Sequence, residues 1–275
     1  MYGIFFILLL PAGALLADEN GRVYKLGIVP QYSPLFIYRH WRPLVTRLQQ
    51  ELGVRIEIET YKDFKQFNKA LQQGGPDFTY LSPYHLVTAR RSQPYVPLLR
   101  DASKQLVGII VVPRDSTVKT VEELQGQKLV FPSPNAFAAS LYLRAYLREK
   151  LGMDFTSEYA GSHGNVYRKV ARKLVVAGGG VNSSLASQPA LLQESLRVLF
   201  EIPGVAAHPV AAHTRVPKDL RDRFVSSFMK MRNDTRGRKM LDAVQISMPF
   251  HAEYKRDYIF LESLKLEKYR SGDSQ

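Results

Sequence analysis

Three short segments decide the fold of this chain. Residues 28–34 read Ile-Val-Pro-Gln-Tyr-Ser-Pro, residues 78–83 read Phe-Thr-Tyr-Leu-Ser-Pro, and residues 129–134 read Leu-Val-Phe-Pro-Ser-Pro. In each segment a short apolar run predicts a strand, and the Ser-Pro pair that follows predicts the start of a helix. The serine hydroxyl can accept an N–H of the first turn, and proline suits the first helical position because it has no N–H there to satisfy.

The sequence around these segments alternates between strands and helices. Strands are predicted over residues 23–29, 54–60, 78–81, 106–112 and 128–131, and helices over 36–52, 63–73 and 135–151. This alternation is typical of parallel βαβ units and predicts an α/β fold. Ligands bind at the carboxyl ends of parallel strands, where helix N-termini favour anions. We therefore expect the three Ser-Pro junctions to converge on an anion site in a cleft between two lobes.

Composition supports a globular chain with an anionic partner. At roughly 150 residues per domain, 275 residues predict about two folding units. The 38 Lys and Arg exceed the 25 Asp and Glu by 13, which favours binding to anions. The absence of cysteine excludes disulfides, thiolate metal sites and a lipidated N-terminal cysteine.

The N-terminus predicts export. An apolar run over residues 2–10 is followed by Pro11 and by the small residues Ala12-Gly13-Ala14, an order typical of a secretory signal peptide. We predict a signal peptide over residues 1–17, cleaved after Ala14 or Ala17. No Lys or Arg precedes the run, so an uncleaved membrane anchor is the alternative.

Other motifs do not favour catalysis, metal binding or nucleic-acid binding. There is no Gly-x-Ser-x-Gly elbow and no His-Glu-x-x-His, so we expect no catalytic residue, metal or cofactor. The basic segment 215–239 has nine Lys or Arg against three Asp and is predicted to be solvated surface, since an exported protein rarely meets nucleic acid. Gly178-Gly179-Gly180 lacks the Lys-Ser/Thr of a phosphate loop and is predicted to be a tight connection between strands. His208 and His213 are expected to pack at a hinge.

Seven short motifs follow one another in an order that points to one family. They lie at residues 26–30, 41–44, 77–84, 121–128, 131–135, 161–163 and 236–238. Together they resemble the periplasmic solute-binding proteins of phosphate, phosphite and phosphonate ABC importers, over about residues 23–267. The resemblance implies a two-lobed type II periplasmic binding protein, or Venus flytrap, with crossover hinge segments near residues 100–106 and 205–211. Lobe 1 would comprise residues 23–104 and 207–270, and lobe 2 residues 105–206.

The junctions and the resemblance together predict a set of ligand-binding residues. These are Tyr32, Ser33, Ser82, Tyr84, Asn135, Phe137, Ser140, His163 and Asn182. Two departures from the family pattern bear on the ligand. Phosphonate binders carry Ser-Thr-Ser at the start of the second-lobe helix, where residues 136–140 here read Ala-Phe-Ala-Ala-Ser, and a usual acidic position falls near the neutral Asn182. Both departures argue against an aminoalkylphosphonate.

The resemblance implies a binding role rather than an enzymatic one. We expect a monomer in the periplasm that captures a small phosphite-, phosphate- or phosphonate-like anion between its lobes and delivers it to an ABC permease in the inner membrane. The alternative is a ligand sensor that presents its bound form to a membrane sensor kinase. No nucleic-acid partner is expected.

Overall fold

The structure, a computed structural model, describes residues 21–270. The predicted signal peptide over residues 1–17 lies outside the described residues.

The described chain alternates between thirteen strands and ten α-helices. The strands are β1 (Val23–Ile28), β2 (Arg55–Glu59), β3 (Phe78–Tyr80), β4 (Tyr95–Asp101), β5 (Gln105–Leu106), β6 (Gly108–Pro113), β7 (Lys128–Phe131), β8 (Thr156–Tyr159), β9 (Ala177–Val181), β10 (Leu196–Glu201), β11 (Val205–Ala206), β12 (Pro209–His213) and β13 (Pro249–His251). The helices are α1 (Pro34–Leu52), α2 (Phe64–Gln72), α3 (Pro83–Arg90), α4 (Leu143–Glu149), α5 (His163–Ala171), α6 (Asn182–Ala186), α7 (Ala190–Glu194), α8 (Lys218–Met231), α9 (Thr235–Ala243) and α10 (Tyr254–Asp257). A π-helical segment (Phe137–Tyr142) leads directly into α4, and 3₁₀ turns cover Glu122–Leu124, Ile259–Leu264 and Leu266–Tyr269.

Two sheets follow one plan. The first has the order β13-β4-β12-β3-β1-β2, and the second has the order β10-β6-β9-β7-β8. Within each, three neighbouring strands are parallel: β2, β1 and β3 in the first, and β8, β7 and β9 in the second. An antiparallel strand then pairs beside them: β12, which returns from late in the chain, in the first sheet, and β6, which precedes β7, in the second. We call the part built on the first sheet lobe 1 and the part built on the second sheet lobe 2.

Two crossovers join the lobes. The chain leaves the first sheet through β5 and returns to it through β11, and these two short strands pair antiparallel, with Leu106 opposite Val205. Both strands fall within the predicted hinge segments. The exact lobe boundaries stay a prediction.

Helix α1 has the buried face and the caps that its sequence pattern predicts. Its buried face includes Trp41, Leu44 and Leu48, as the apolar spacing predicts. Ser33 caps its start by accepting the N–H of Phe36 at 3.3 Å, and Gly53 ends it with a left-handed φ of 68°. The predicted cap at Ser82 is also confirmed, because its hydroxyl accepts the N–H of His85 at 3.2 Å at the start of α3.

The prediction for the third Ser-Pro junction is wrong. The Ser133 hydroxyl accepts the N–H of Asn135 at 3.4 Å, and its carbonyl accepts the N–H of Ala136 at 3.3 Å. Because the Ser133 hydroxyl is hydrogen-bonded within this local turn, it does not cap the helix. The helix begins only after Ala136, without a side-chain cap.

The triple glycine is a strand and not a connection. Gly178, Gly179 and Gly180 form the middle of β9, because helices press on both faces of that strand. A side chain at Gly178 would collide with Val166 of α5, one at Gly179 with Phe131 and the carbonyl of Ala139, and one at Gly180 with the ring of Tyr167. Only glycine leaves room for such close helix–sheet contact.

Two arginines of the basic segment 215–239 form hydrogen bonds within lobe 1. The Arg215 guanidinium lies 2.7 Å from the buried Asp77 carboxylate and also donates to the carbonyls of Gly74 and Gly75. Arg223 donates to the carbonyl of Leu52 at 2.9 Å, at the end of α1. These bonds join the returning chain to the first strands of lobe 1.

Candidate functional site

A small cavity lies where the parallel strands of both sheets end. From lobe 1 it is lined by Val29 after β1, Phe64 after β2 and Ser82 after β3. From lobe 2 it is lined by the segment Ala136–Ala139 after β7, by His163 after β8 and by Val181 at the end of β9. Gln31, Leu106 and His208 complete its wall. The chain at the end of each of the six parallel strands therefore supplies at least one lining residue, as expected for a site at strand carboxyl ends.

The cavity has a volume of about 10 Å³, close to the space of one water molecule. Anything larger than water must therefore enter by separation of the lobes or by movement of a lining side chain. The Phe137 ring is the largest side chain that lobe 2 contributes, and it stacks between the rings of Tyr84 and Tyr142, with both centroids 5.8 Å away.

The first residues of the π-helical segment line the cavity. Residues 137–139 occupy the first turn, so their N–H groups have no carbonyl partner within the helix. The Leu141 N–H reaches back to the Ala136 carbonyl at 2.9 Å, a spacing of five residues that widens the turn. On the opposite side the carbonyls of Ala138 and Ala139 lie against Gly108 and Gly179 of the second sheet, which holds the segment in place.

His163 reaches the cavity from the N-terminus of α5. The ring is 3% exposed, and its Nδ1 lies 3.0 Å from the hydroxyl of Ser184, which itself lies 2.6 Å from the Tyr167 hydroxyl. Burial lowers the pKa of His163 to about 4, because desolvation disfavours the imidazolium. The side chain is therefore neutral at pH 7.

His208 faces His163 from the crossover into β12. Its Nε2 accepts from the side-chain amide of Gln31 at 2.9 Å, and its ring stacks on Tyr80 with centroids 5.4 Å apart. Burial, the neighbouring His163 and Lys104 lower the pKa of His208 to about 3. The ring packs beside the hinge, as the sequence predicts, and it also lines the cavity, which the sequence did not predict.

A third buried histidine supports the lobe 1 wall. His85 Nδ1 lies 2.8 Å from the Ser82 hydroxyl, and its ring packs against Phe64 and Phe67. Burial is the main cause that lowers the pKa of His85 to about 3. Ser82 therefore bonds to the α3 backbone and to a neutral imidazole.

A larger cleft of about 610 Å³ opens beside the cavity and shares Val29 and Gln31 with it. We call it the outer cleft. Its lobe 1 wall comes from the start of α1 and the end of α9, and its lobe 2 wall from α6 and Ser187. The Tyr32 hydroxyl crosses between them: it accepts from Gln245 at 2.8 Å and lies 3.2 Å from the Ser187 hydroxyl.

Asn182 lines the outer cleft, and its side-chain amide is hydrogen-bonded to backbone groups. Its oxygen accepts the N–H groups of Val107 at 3.3 Å and Ser183 at 2.9 Å, and its nitrogen donates to the carbonyl of Gln105 at 3.0 Å. A neutral amide suits this position because it can both accept and donate. Asn182 thereby ties β9 to the crossover strand β5.

The structure brings five of the nine predicted site residues to these two spaces. Ser82, Phe137 and His163 line the cavity, and Tyr32 and Asn182 line the outer cleft. The other four line neither space. Ser33 is an exposed helix cap, Tyr84 is buried behind Phe137, Asn135 is buried in the turn before the π-helical segment, and Ser140 is fully buried with its hydroxyl accepting from Arg144 at 3.1 Å.

The Tyr84 hydroxyl lies in a buried setting near Glu267. Burial and the Glu267 carboxylate raise the pKa of Tyr84, yet the hydroxyl makes no hydrogen bond of normal geometry among the described residues. Its ring stacks on Phe137 and lines neither the cavity nor the outer cleft.

Within residues 21–270, no helix combines the length and apolar character needed to cross a membrane. The same range holds no group of three or more His, Cys, Asp or Glu placed to bind a metal ion.

Two sheets of one plan, two crossover strands and a cavity between the strand ends define a type II periplasmic binding protein. Residues 26–258 match the family described as ABC transporter, phosphonate, periplasmic substrate-binding protein, and the chain belongs to that family. Its members are periplasmic substrate-binding components of ABC transporters, as the sequence motifs predict.

Known proteins of similar sequence or structure agree with this assignment. The phosphonates-binding periplasmic protein of Escherichia coli (strain K12) is 21% identical over 271 residues, covering 93% of this chain and 80% of that protein. A binding protein component of an ABC phosphonate transporter from Pseudomonas aeruginosa has a TM-score of 0.77 at 15% identity, over 88% of this chain and 85% of the other. PhnD1 from Prochlorococcus marinus, in complex with methylphosphonate, has a TM-score of 0.78 at 16% identity, over 89% and 97%. At these identities the two solved structures show the shared fold.

Proposed function

We propose that this protein captures a small tetrahedral oxyanion of the phosphonate type in the cavity between its lobes and delivers it to an ABC importer. The observation that carries the proposal is the convergence of all six parallel strand ends on one cavity, which the first turn of the π-helical segment also lines. The family assignment and the methylphosphonate held by the Prochlorococcus marinus protein support the choice of anion.

The cavity suits an anion because its polar groups include donors and none of the described residues that line it is acidic. The first-turn amides of residues 137–139 and the positive end of the helix dipole favour negative charge. In this proposal these backbone amides donate to the anion in place of side-chain hydroxyls, which the alanines at 136, 138 and 139 lack. The Gln31 amide keeps one N–H beyond the one it gives to His208.

His163 binds the anion as a neutral donor in this proposal. In the tautomer that this proposal requires, the Ser184 hydroxyl donates to Nδ1 and the ring carries its proton on Nε2, where it is available to an oxygen of the anion. The carbonyl of Val181, which lies 3.0 Å from the Ser184 hydroxyl, then accepts from the Tyr167 hydroxyl at 3.2 Å. Neutral donors to an anion still make charge-assisted bonds, which are roughly twice as strong as bonds between neutral groups.

Import is the better supported of the two roles. The family description and the Pseudomonas aeruginosa neighbour both name ABC transporters, whereas nothing in the described residues favours a sensor kinase. Delivery requires that the liganded form dock on a permease, and vesicles carrying the cognate permease and ATPase should take up the anion only when the liganded protein is added.

The binding step is tested by titration calorimetry with methylphosphonate, phosphite, phosphate, sulfate and acetate. We expect a phosphorus oxyanion to bind, and His163→Ala to weaken it more than tenfold, since a charge-assisted bond is worth about 1.5–3 kcal/mol. His251→Ala is the matched control, because His251 is exposed on β13 and lines neither space. Binding of acetate alone among the five probes, or equal affinities for both variants, would contradict the proposal.

A second variant tests the backbone donors. Ala136→Ser with Ala138→Ser places hydroxyls at the start of the π-helical segment, where both alanines line the cavity. We expect the double variant to gain phosphonate affinity severalfold relative to acetate. An unchanged phosphonate affinity in a folded double variant would show that this turn does not contact the anion.

A further inference from the structure

The two walls of the outer cleft differ in chemistry. The lobe 1 wall is aromatic, with the side chains of Tyr32, Phe36, His40, Trp41 and Tyr80. The lobe 2 wall is polar and small, with Asn182, Ser183 and Ser187. A planar group held between them would meet ring faces or edges on one side and hydroxyls on the other.

The aromatic wall is organised as a stack. The rings of Tyr32 and Phe36 lie 4.6 Å apart at 30°, and those of Phe36 and His40 lie 3.8 Å apart at 22°. The carbonyl of Phe36 accepts from His40 Nδ1 at 2.7 Å, which fixes the imidazole in the stack and leaves Nε2 as an acceptor in the neutral ring. The rings are therefore preorganised, which reduces the entropy lost on binding.

Phe36 is 38% exposed although it lines a concave space. Burial of an aromatic ring against such a wall contributes beyond the area covered, because offset stacks and edge contacts are each worth about 0.5–1.5 kcal/mol. A cleft of about 610 Å³ falls in the size range of small-molecule sites, which are roughly 300–1,000 Å³ and mostly apolar.

Charge does not select the occupant of the outer cleft. Among the described residues that line it, Lys104 and Asp242 are the charged ones, and their signs are opposite. Asn182 stands near the position where the family has a carboxylate, and its amide is bonded to the crossover backbone. A cationic amine would therefore have Asp242 as its single acidic partner among the described lining residues, whereas an aromatic ring would contact several ring side chains.

The outer cleft and the cavity meet at Val29 and Gln31. From this junction, and resting on the proposed function, we infer that the natural ligand is an anion that carries an aromatic or heteroaromatic ring. The anionic group lies in the cavity, and the ring extends past Gln31 onto the stack formed by Tyr32, Phe36 and His40.

Four probes test this inference by calorimetry: methylphosphonate, phenylphosphonate, cyclohexylphosphonate and 2-aminoethylphosphonate. We expect phenylphosphonate to bind about tenfold more tightly than methylphosphonate, since tenfold corresponds to about 1.4 kcal/mol. It should also bind more tightly than cyclohexylphosphonate, which has similar bulk without a π face. Equal affinity for the two ring compounds, or tightest binding of the amine, would overturn the inference.

Phe36→Ala locates the ring. We expect this variant to lose most of the preference for phenylphosphonate while its affinity for methylphosphonate changes less than threefold. Tyr38→Ala is the matched control, because Tyr38 is 45% exposed on the same helix and lies outside the outer cleft. Equal losses in the two variants would overturn the assignment to this cleft.

The outcomes separate this inference from the proposed function. Binding of methylphosphonate with no preference for phenylphosphonate overturns the inference and leaves the proposed function standing. Failure of all four probes, with a folded protein by circular dichroism, overturns both.

Discussion

The Tyr32 hydroxyl lies 3.2 Å from the hydroxyl of Ser187, and this contact joins the loop after β1 in lobe 1 to the end of α6 in lobe 2. Tyr32 also accepts from Gln245 of lobe 1 at 2.8 Å, so its own proton is free for Ser187. Since the contact exists only when the lobes are together, it stabilises the closed form selectively.

A double-mutant cycle tests this closing contact. Tyr32→Phe and Ser187→Ala should each weaken methylphosphonate binding by about two- to tenfold, the worth of one hydrogen bond. The double variant should bind no more weakly than either single variant, since both remove the same bond. Ser183→Ala, also in the outer cleft, serves as a control with no change expected, and additive losses would contradict the contact.

Hinge closure should be visible in solution. The cavity between the lobes has room for about one water, so a phosphonate can enter only when the lobes separate or Phe137 moves. Small-angle scattering should give a smaller radius of gyration with saturating methylphosphonate than without it. An identical profile in both conditions would argue that Phe137, and not the hinge, admits the ligand.

The glycines of β9 should resist substitution. A Cβ at Gly180 would collide with the ring of Tyr167, which is fully buried and hydrogen-bonded to Ser184. Gly180→Ala should therefore lower the free energy of unfolding by about 1–3 kcal/mol through overpacking. The control is Gly164→Ala in α5, where the new methyl meets only the flexible ends of Arg168 and Gln188. Urea denaturation should show that variant to be neutral or more stable, and equal losses would contradict the packing argument.

Stability should fall as the pH drops from 7.5 to 5.5. Burial lowers the pKa values of His85, His163 and His208 to about 3, 4 and 3, so the folded protein keeps them neutral while the unfolded chain protonates them below about 6.5. Proton uptake on unfolding therefore lowers the free energy of unfolding by up to about 1.4 kcal/mol per pH unit for each histidine. The loss should continue down to about the folded pKa values.

Urea denaturation at a series of pH values measures this slope. His163→Asn should reduce the slope between pH 7.5 and 5.5 by about one proton, whatever its effect on stability at pH 7.5. A wild-type slope near zero would mean that the buried rings take up protons in the folded protein as readily as in the unfolded chain.

Local sequence patterns predict much of lobe 1 because their signals act within a few residues. The apolar spacing of α1, its Ser33 cap and the terminal Gly53 are all found where expected. The same Ser-Pro signal fails at Ser133, because its hydroxyl bonds to the next turn and the helix then packs on Gly108 and Gly179. No local pattern reports that close packing, and so neither the late helix start nor the strand of glycines was expected.

The candidate site divides in the same way. Ser82 and His163 follow strands at helix starts, a position that sequence reasoning can find. Gln31 and His208 are 177 residues apart and meet only because β1 and β12 lie on either side of β3 in the first sheet. A histidine beside a hinge strand carries no local signal that it will line a cavity. Ser140 has a suitable hydroxyl, but the wide turn of the π-helical segment directs it to Arg144.

The sequence by itself determined the α/β class, the family and the starts of α1 and α3, since these depend on periodicity, capping and motif order within short segments. Only the tertiary structure decided which strand ends meet at the cavity, that Asn182 bonds to the crossover, and that an aromatic stack lines the outer cleft beside it. The reason is physical. Helix caps and apolar spacing depend on residues that are close in the chain. The binding site consists of groups that become neighbours only after each sheet has formed and the crossovers have placed the two lobes together.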